Sequence, residues 1–509
     1  MNADGYVTDI GYTAGFYREM APSHLAFAAV LAGFSPGRAL LPRRVLELGF
    51  GQGFGLALLA AANADVAFEG YDFNPEHTRH ARDFAKRAGL TNLELSCLGF
   101  EDAAALSGEQ DVDVIAMHGV MTWVARPTQD AIVEIVRRRL ASGGLFYVSY
   151  NALPGWAALA PIRQFIVDVK HRNPGHSEQQ VMLALDMLAT LRQAGGRYFA
   201  ANPAATHHFD RMVAMDRRYL AHEYLDEHWE PLHFSDVAAR LAAADLTYVG
   251  TATLSESLDA CTVPGAVLPL LKGTKDRIFA ETLRDYATNK VFRRDIFARG
   301  AVALSPAERR SLLGGFSFVL VVPREQVSFR FVTPTTELNG KEELYRPIAD
   351  CLAAGAASFE ALLALPAFGE SGLANLIECL TLLVHSGQVF PIVGPAASDG
   401  AAAARFNRMV VDEARAGIIR DSLASPLTRT GIAVNDFALL ALAAWLDGKG
   451  ADAHMAAQHG LDILKRLGRR PRRDQIEIED DAEAVNFLAE HMNQILGESI
   501  PVMRRLGVV

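Results

Sequence analysis

The sequence predicts an α/β fold in its N-terminal part, followed by a mainly helical middle domain and a C-terminal winged-helix-like region. Short β-rich runs alternate with amphipathic helical stretches from Arg43 to Leu153, the pattern of a largely parallel sheet covered by helices. The first of those runs ends in a glycine-rich turn that opens directly into a helix. Beyond Trp156 the apolar pattern takes on helical period and strands become rare.

Taken in chain order, residues 1–42 form an N-terminal segment in which aromatic residues from Tyr12 lead to an Ala/Leu-rich helix ending near Gly33, expected as a lid across the top of the sheet. Residues 43–160 form the α/β domain, with strands over 44–49, 67–72, 93–98, 112–117 and 144–150. Helices are expected over 55–62, 75–88 and 128–140, the last closed by Ser142-Gly143-Gly144, because glycine suits the left-handed residue after a helix end. Residues 161–300 read as a mainly helical domain, with helices over 162–170, 178–192 and 234–244 and one strand-like run over 246–252. In 301–393 a β-rich pair, 316–323 and 327–332, precedes helices over 358–365 and 372–386 and a short β run at 387–391, hence the winged-helix-like expectation. A Gly/Ala/Pro/Ser-rich linker, 394–404, leads to a helical tail, 405–509, that carries the basic run Lys465 to Arg473.

Bulk properties exclude several function classes. The net charge of −10 opposes a protein built to neutralise phosphates, so no nucleic-acid partner is expected. The cysteines Cys97, Cys261, Cys351 and Cys379 lie far apart without a CxxC pair, as in a cytoplasmic protein with reduced thiols. The N-terminus lacks a basic stretch followed by an apolar one, and the longest apolar runs fall short of a membrane span, so neither export nor insertion is expected. His222, His228 and His233 do not have the HExxH spacing that would align two ligands on one helical face, and no metal is expected. The presumed second helix of the winged-helix-like region, 373–381, has no Lys or Arg to meet a phosphate and reads as a protein-packing element.

The chemistry-bearing constellation begins at Glu47-Leu48-Gly49-Phe50-Gly51-Gln52-Gly53-Phe54-Gly55, a buried strand ending in a turn where glycines let the backbone approach a nucleoside. The dinucleotide pattern GxGxxG fails here: its third glycine would fall on Phe54 or on Leu56. Gly70-Tyr71-Asp72 places an acid at the end of the next strand, where a carboxylate accepts both ribose hydroxyls of an adenosine. That acid also serves NAD sites, so it indicates adenosine more than a particular ligand. Phe73 follows it, and Leu98-Gly99-Phe100-Glu101-Asp102 supplies an aromatic face and an acid for an adenine, with Gly99 where an acid is more usual. At the ends of the next strands stand Met117-His118-Gly119-Val120-Met121-Thr122-Trp123 and Ser149-Tyr150-Asn151-Ala152-Leu153-Pro154-Gly155-Trp156. Asn151 with backbone carbonyls suits holding an amine by its N–H groups, and Tyr150 and Trp123 suit walling a channel for a cation. His118 reads equally as a proton acceptor or as a core histidine bonded to backbone. Trp156 reads as packing and Pro154-Gly155 as a turn.

The glycine turn with Glu47 ahead of it resembles that of class I methyltransferases. His118-Gly119-Val120 with Trp123, Tyr150-Asn151 with Leu153-Pro154-Gly155-Trp156, and, further on, Tyr219-Leu220-Ala221-His222-Glu223-Tyr224-Leu225 and Glu230-Pro231-Leu232-His233-Phe234 resemble the bacterial methyltransferases that carry a methyltransferase regulatory domain, whose best-known members methylate lysines of outer-membrane proteins. The likeness continues faintly to about Pro391. It implies a Rossmann-like catalytic domain, a middle regulatory domain and a winged-helix-like C-terminal region, with S-adenosylmethionine as donor, S-adenosylhomocysteine as product and a protein lysine amine as acceptor. Carried over, Glu47, Gly49, Gly51, Gly53 and Asp72 would contact the cofactor, and Phe73, Phe100, Glu101, His118 and Gly119 are further candidates for that contact. His118, Trp123, Tyr150 and Asn151 would border the acceptor, and His222 and Tyr224 would cap its channel or pack between domains. The sequence departs from the family at Met121, where a Tyr is usual, and in the bulk of Phe50 and Phe54 within the glycine turn. A small-molecule methyltransferase, its later domains closing a pocket, is the alternative enzyme. A scaffold that keeps the fold without catalysis is the alternative from another class.

Overall fold

The computed structural model describes residues 15–106, 108, 110–369, 372–394, 400–474 and 476–509. Tyr12, the first aromatic residue of the expected lid, and 395–399 of the expected linker lie outside them. The centre is a seven-stranded sheet in the order β3-β2-β1-β4-β5-β7-β6. Strands β1 (Arg44–Leu48), β2 (Ala67–Asp72), β3 (Leu93–Cys97), β4 (Val112–Met117) and β5 (Leu140–Asn151) pair in parallel. Strand β7 (Phe292–Arg299) enters antiparallel between β5 and β6 (Leu246–Thr251). The central strands are buried on both faces, which is why β1 and β4 read as near-continuous apolar runs.

Ahead of the sheet, α1 (Pro22–Leu31) has every residue buried, packed between β6 and the strand Val389–Ile392. It is therefore an interior helix and not a lid, as its lack of any polar face requires. Helices α2 (Phe54–Ala62), α3 (Pro75–Arg87), α4 (Phe100–Leu106) and α5 (Arg126–Arg139) follow the first four strands. Expected as a loop, α4 is a short helix. The chain passes straight from α5 into β5 at Leu140, so Ser142-Gly143-Gly144 lies within the strand and does not close the helix. The β4–β5 register shifts at that point.

The largest departure concerns 161–300, which is not one helical body. Helices α6 (Ala160–Arg172), α7 (Ser177–Gln193), α8 (Arg197–Ala201), α9 (Pro203–Val213) and α10 (Arg217–Leu225) form an insertion with its own core, including Trp156, Ile166, Leu185, Phe209 and Tyr224. The chain leaves the sheet at Ala152 and returns at Leu232, which pairs with Ala152; Leu232 N–H donates to Asn151 O at 2.9 Å and Leu153 N–H to Leu232 O at 3.0 Å. From there α11 (Phe234–Ala242), β6 and β7 belong to the sheet layer, with Phe234, Val237 and Leu241 packed in the same core as Tyr248 and Phe297.

In residues 306–392 a three-stranded antiparallel sheet, with Ser317–Leu320 between Ala357–Ser358 and Val389–Ile392, is flanked by helices. The strands expected as a pair do not pair with each other: Arg330–Val332 joins Glu337–Asn339 instead. The C-terminal residues are a folded unit, not an appended tail. Phe406, Leu423 and Ile432 share a core with Phe54, Leu58 and Phe84 of α2 and α3. The basic run meets acids of its own unit: Lys465 and Arg470 pair with Asp481, Arg472 with Glu477, and Arg473 with Glu483. Among the described residues the four cysteines are free, and no helix is long and apolar enough to cross a membrane.

Candidate functional site

A cavity of about 430 Å³ lies at the carboxyl ends of β1, β2 and β4, beneath α10 and the N-terminal segment. Open α/β sheets bind ligands in this place, in the crevice beyond the strand ends. Its floor is the turn after β1. Gly51 has a φ of 57° and nothing within 4 Å of the position a Cβ would take, so the backbone presents an open cradle there. Gly53 has a φ of 77° and a Cβ would come within 2.5 Å of Ala81 Cβ, so this glycine lets α2 and α3 approach. Phe50 and Phe54 border the cavity, and their rings also pack on its far side. Phe54 packs on Phe84 and Phe406, with centroids at 5.9 and 5.8 Å, and Phe50 lies against Gly70, where a Cβ would collide with its ring.

Asp72 ends β2 as a buried carboxylate aimed by backbone: Gly51 N–H donates to Oδ2 at 2.8 Å and Asn74 N–H to Oδ1 at 2.9 Å. A carboxylate has about four lone-pair sites, so acceptors remain for a pair of hydroxyls. Glu47, on β1, has its carboxyl pushed up to about 8 by burial and then by the nearby Asp72. Among the described residues no cation figures beside it. Glu101, at the start of α4, accepts from Thr128 Oγ1 at 2.6 Å.

All the residues expected at a cofactor, Glu47, Gly49, Gly51, Gly53, Asp72, Phe73, Phe100, Glu101, His118 and Gly119, border this cavity. Of those expected at an acceptor, His118 and Trp123 border it and Tyr150 and Asn151 do not. Tyr150 is fully buried and donates to Asp295 Oδ2 at 2.6 Å, part of a network in which Arg293 bonds Asp285, Asp295 and Glu281. It holds β5 to β7 and is removed from the acceptor wall. Asn151 lies just behind the wall: its N–H donates to Thr122 Oγ1 at 2.9 Å, and its buried Nδ2 makes no hydrogen bond of good geometry. Trp156 packs edge-on against Trp229 at 5.1 Å within the insertion. Tyr224 is buried there as well, whereas His222 reaches the cavity.

His118 stacks on Tyr17, with centroids 3.7 Å apart, and its Nδ1 lies 2.8 Å from the Tyr147 hydroxyl. Burial, then the charge of Arg294, holds its pKa at about 3, so the ring is neutral and a feeble base. Its partner is a side chain, not the backbone expected of a core histidine. Met121 is buried in the sheet core and does not reach the cavity.

Sequence reasoning missed Tyr17, Asp226 and above all Glu223. Glu223 sits on α10, one turn after Tyr219, and enters the cavity from the insertion. Burial pushes its carboxyl up to about 7, while Asn151 and the Tyr219 hydroxyl favour the ionised form and Asp226 opposes it. The available signal was the spacing of Tyr219 and Glu223, which puts both on one helical face.

Family models match two parts of the chain: "Methyltransferase domain" over residues 45–144 and "Predicted methyltransferase regulatory domain" over 216–299. The second match spans α10 together with β6 and β7. The chain is 31% identical over 513 residues to "Uncharacterized protein sll1526" of Synechocystis sp., covering 99% of both. It is 29% identical over 162 residues, 29% of this chain and 61% of the other, to a tRNA (guanine-N(7)-)-methyltransferase of Chromohalobacter salexigens. The structure of PKMT2 from Rickettsia typhi in complex with AdoHcy shares its fold, with a TM-score of 0.70 at 19% identity, over 97% of this chain and 99% of that one.

Proposed function

This chain belongs to the class I S-adenosylmethionine-dependent methyltransferases that carry a methyltransferase regulatory domain, and from that premise we propose that it methylates an amine, the side chain of a lysine in a protein substrate. The observation that carries the acceptor class is electrostatic. Among the described residues the cavity is bordered by Glu47, Asp72, Glu101, Glu223 and Asp226 and by no Lys or Arg. A low-dielectric pocket with that excess of carboxylates favours cationic occupants. S-adenosylmethionine supplies an electrophilic methyl on a positively charged sulfur with a neutral leaving group, so the site needs positioning and a dry approach more than strong acid or base.

In this reading Asp72 accepts the ribose hydroxyls, Gly49, Gly51 and Gly53 bring the backbone against the nucleoside, Phe100 and Glu101 border the adenine, and Glu47 takes the charged amino-acid end. Phe73 and Gly119 complete the edge. Those groups fit the cofactor on the cradle at Gly51 and on the aimed lone pairs of Asp72. His118 and Tyr17 form a neutral stacked wall, and Trp123 presents a second aromatic face to a methylammonium. The unit of residues 306–392 we read as winged-helix-like but as a packing module. Its helix Leu373–His385 buries Leu376, Cys379, Leu380 and Leu383 and has no Lys or Arg.

The test is incubation with methyl-labelled S-adenosylmethionine and cell extract, with protein separated from small molecules. Label is expected in protein, lost in Asp72→Ala and recovered as methyllysine on hydrolysis. Label confined to small molecules would overturn the lysine reading.

A further inference from the structure

We infer that Glu223, carried by the helical insertion, is the residue that receives the substrate ammonium and takes its proton, so that the segment matched as regulatory supplies a catalytic group. This rests on the amine reading above. Two observations support it, once that reading assigns three of the five cavity carboxylates. In that reading the cofactor takes Glu47, Asp72 and Glu101. Asp226 lies beside Arg163, whose guanidinium bonds its carbonyl oxygen and whose charge it offsets. Among the described residues no cation figures beside Glu223, and the groups tuning it are the Asn151 amide, the Tyr219 hydroxyl and the opposing charge of Asp226.

The surroundings are arranged for a cation. Tyr17 lies within electrostatic reach of Glu223 and stacks on His118, and Tyr219 stands one turn before it on α10. The titratable and charged groups around it are Tyr17 on the N-terminal segment, Tyr219, His222 and Tyr224 on its own helix, Asp226 just beyond, and His118 and Arg294 on the sheet side. Arg294 lies among Tyr17, Glu19 and His118, and it does not figure among the groups that move Glu223. A carboxyl held near 7 is closer to an amine's affinity for protons than an ordinary glutamate, which is what a proton acceptor for an ammonium needs.

The step balances simply. The ammonium gives one proton to a Glu223 oxygen and becomes a neutral amine. Its nitrogen lone pair forms the N–CH3 bond as the S–CH3 bond breaks, with that electron pair staying on sulfur. The product methylammonium takes over the positive charge, and the Glu223 proton passes to solvent.

The probe is n-butylammonium, a lysine side-chain mimic, titrated into protein saturated with AdoHcy at pH 8. One equivalent is expected to bind. Glu223→Gln, which keeps the shape, is expected to weaken it by at least about tenfold while AdoHcy binds as before, and Glu223→Asp to fall between. In single-turnover transfer the wild-type rate is expected to rise with pH through about 7, and this limb to vanish in Glu223→Gln without a change in cofactor KM. Equal binding by Glu223→Gln, no binding by wild type, or equal affinity for the neutral n-pentanol would overturn the inference while leaving the methyltransferase reading intact. Failure of AdoHcy itself to bind would instead remove the reading on which it rests.

Discussion

At the end of the cavity proposed for the nucleoside the lining comes from one contiguous strand-turn-helix and one aimed acid, whereas at the end proposed for the acceptor Tyr17, Trp123 and Glu223 come from three distant segments, with Asn151 behind Glu223. The first end is specified by backbone: positive φ at Gly49, Gly51 and Gly53 and two N–H groups fixing Asp72. The second is specified by where the insertion lands on the sheet. Cofactor binding should therefore fail abruptly when one local element changes, while acceptor recognition should degrade by steps.

The sharpest way to break this contrast is Asp72→Ala, expected to lower AdoHcy affinity by about a thousandfold, since hydrogen bonds to a charged acceptor are worth about 1.5–3 kcal/mol each. Calorimetry reads it, and a loss below tenfold would mean that the acid does not hold the sugar. Next comes Gly51→Val, which combines strain at positive φ with bulk in the open cradle. A loss of about a hundredfold in cofactor affinity is expected, with a small drop in Tm. If the Tm collapses instead, the turn is a folding element first.

A third effect is a pH dependence. Glu47, with burial and Asp72 holding its carboxyl up to about 8, is protonated below that pH. A cationic ligand favours its ionised form, so affinity for S-adenosylmethionine should rise with pH up to about 8, by at most about tenfold per pH unit, and then level. Proton release on binding, measured in buffers of different ionisation enthalpy, checks the sign. The smallest effect is expected at His118. A ring held neutral at about 3 cannot serve as the working base, so His118→Gln should cost less than about tenfold in transfer rate. A loss of about a thousandfold would make the imidazole a participant in the chemistry.

The same contrast explains what could be read in advance. Strands β2 and β4 have the boundaries expected of them; β4 is buried at every residue and reads as an apolar run, β2 alternates buried with partly exposed residues, and the glycine turn was visible because backbone chemistry is contiguous in sequence. Strand β7 was not visible. Its Arg293 and Asp295 look like surface residues until the partners Asp285, Glu281 and Tyr150 are brought to them from other elements. Tyr150 was misplaced for the same reason, since only that network draws its hydroxyl away from the cavity. Glu223 reads as one more acid on an amphipathic helix until α10 is laid over the sheet. The C-terminal residues looked like a tail because their core is shared with Phe54 and Phe84, residues that belong to another part of the sequence.

The adjacency of Ala152 and Leu232 has an evolutionary reach. Because the helices between them depart and rejoin at one spot, that stretch can be exchanged as a cassette without changing strand register.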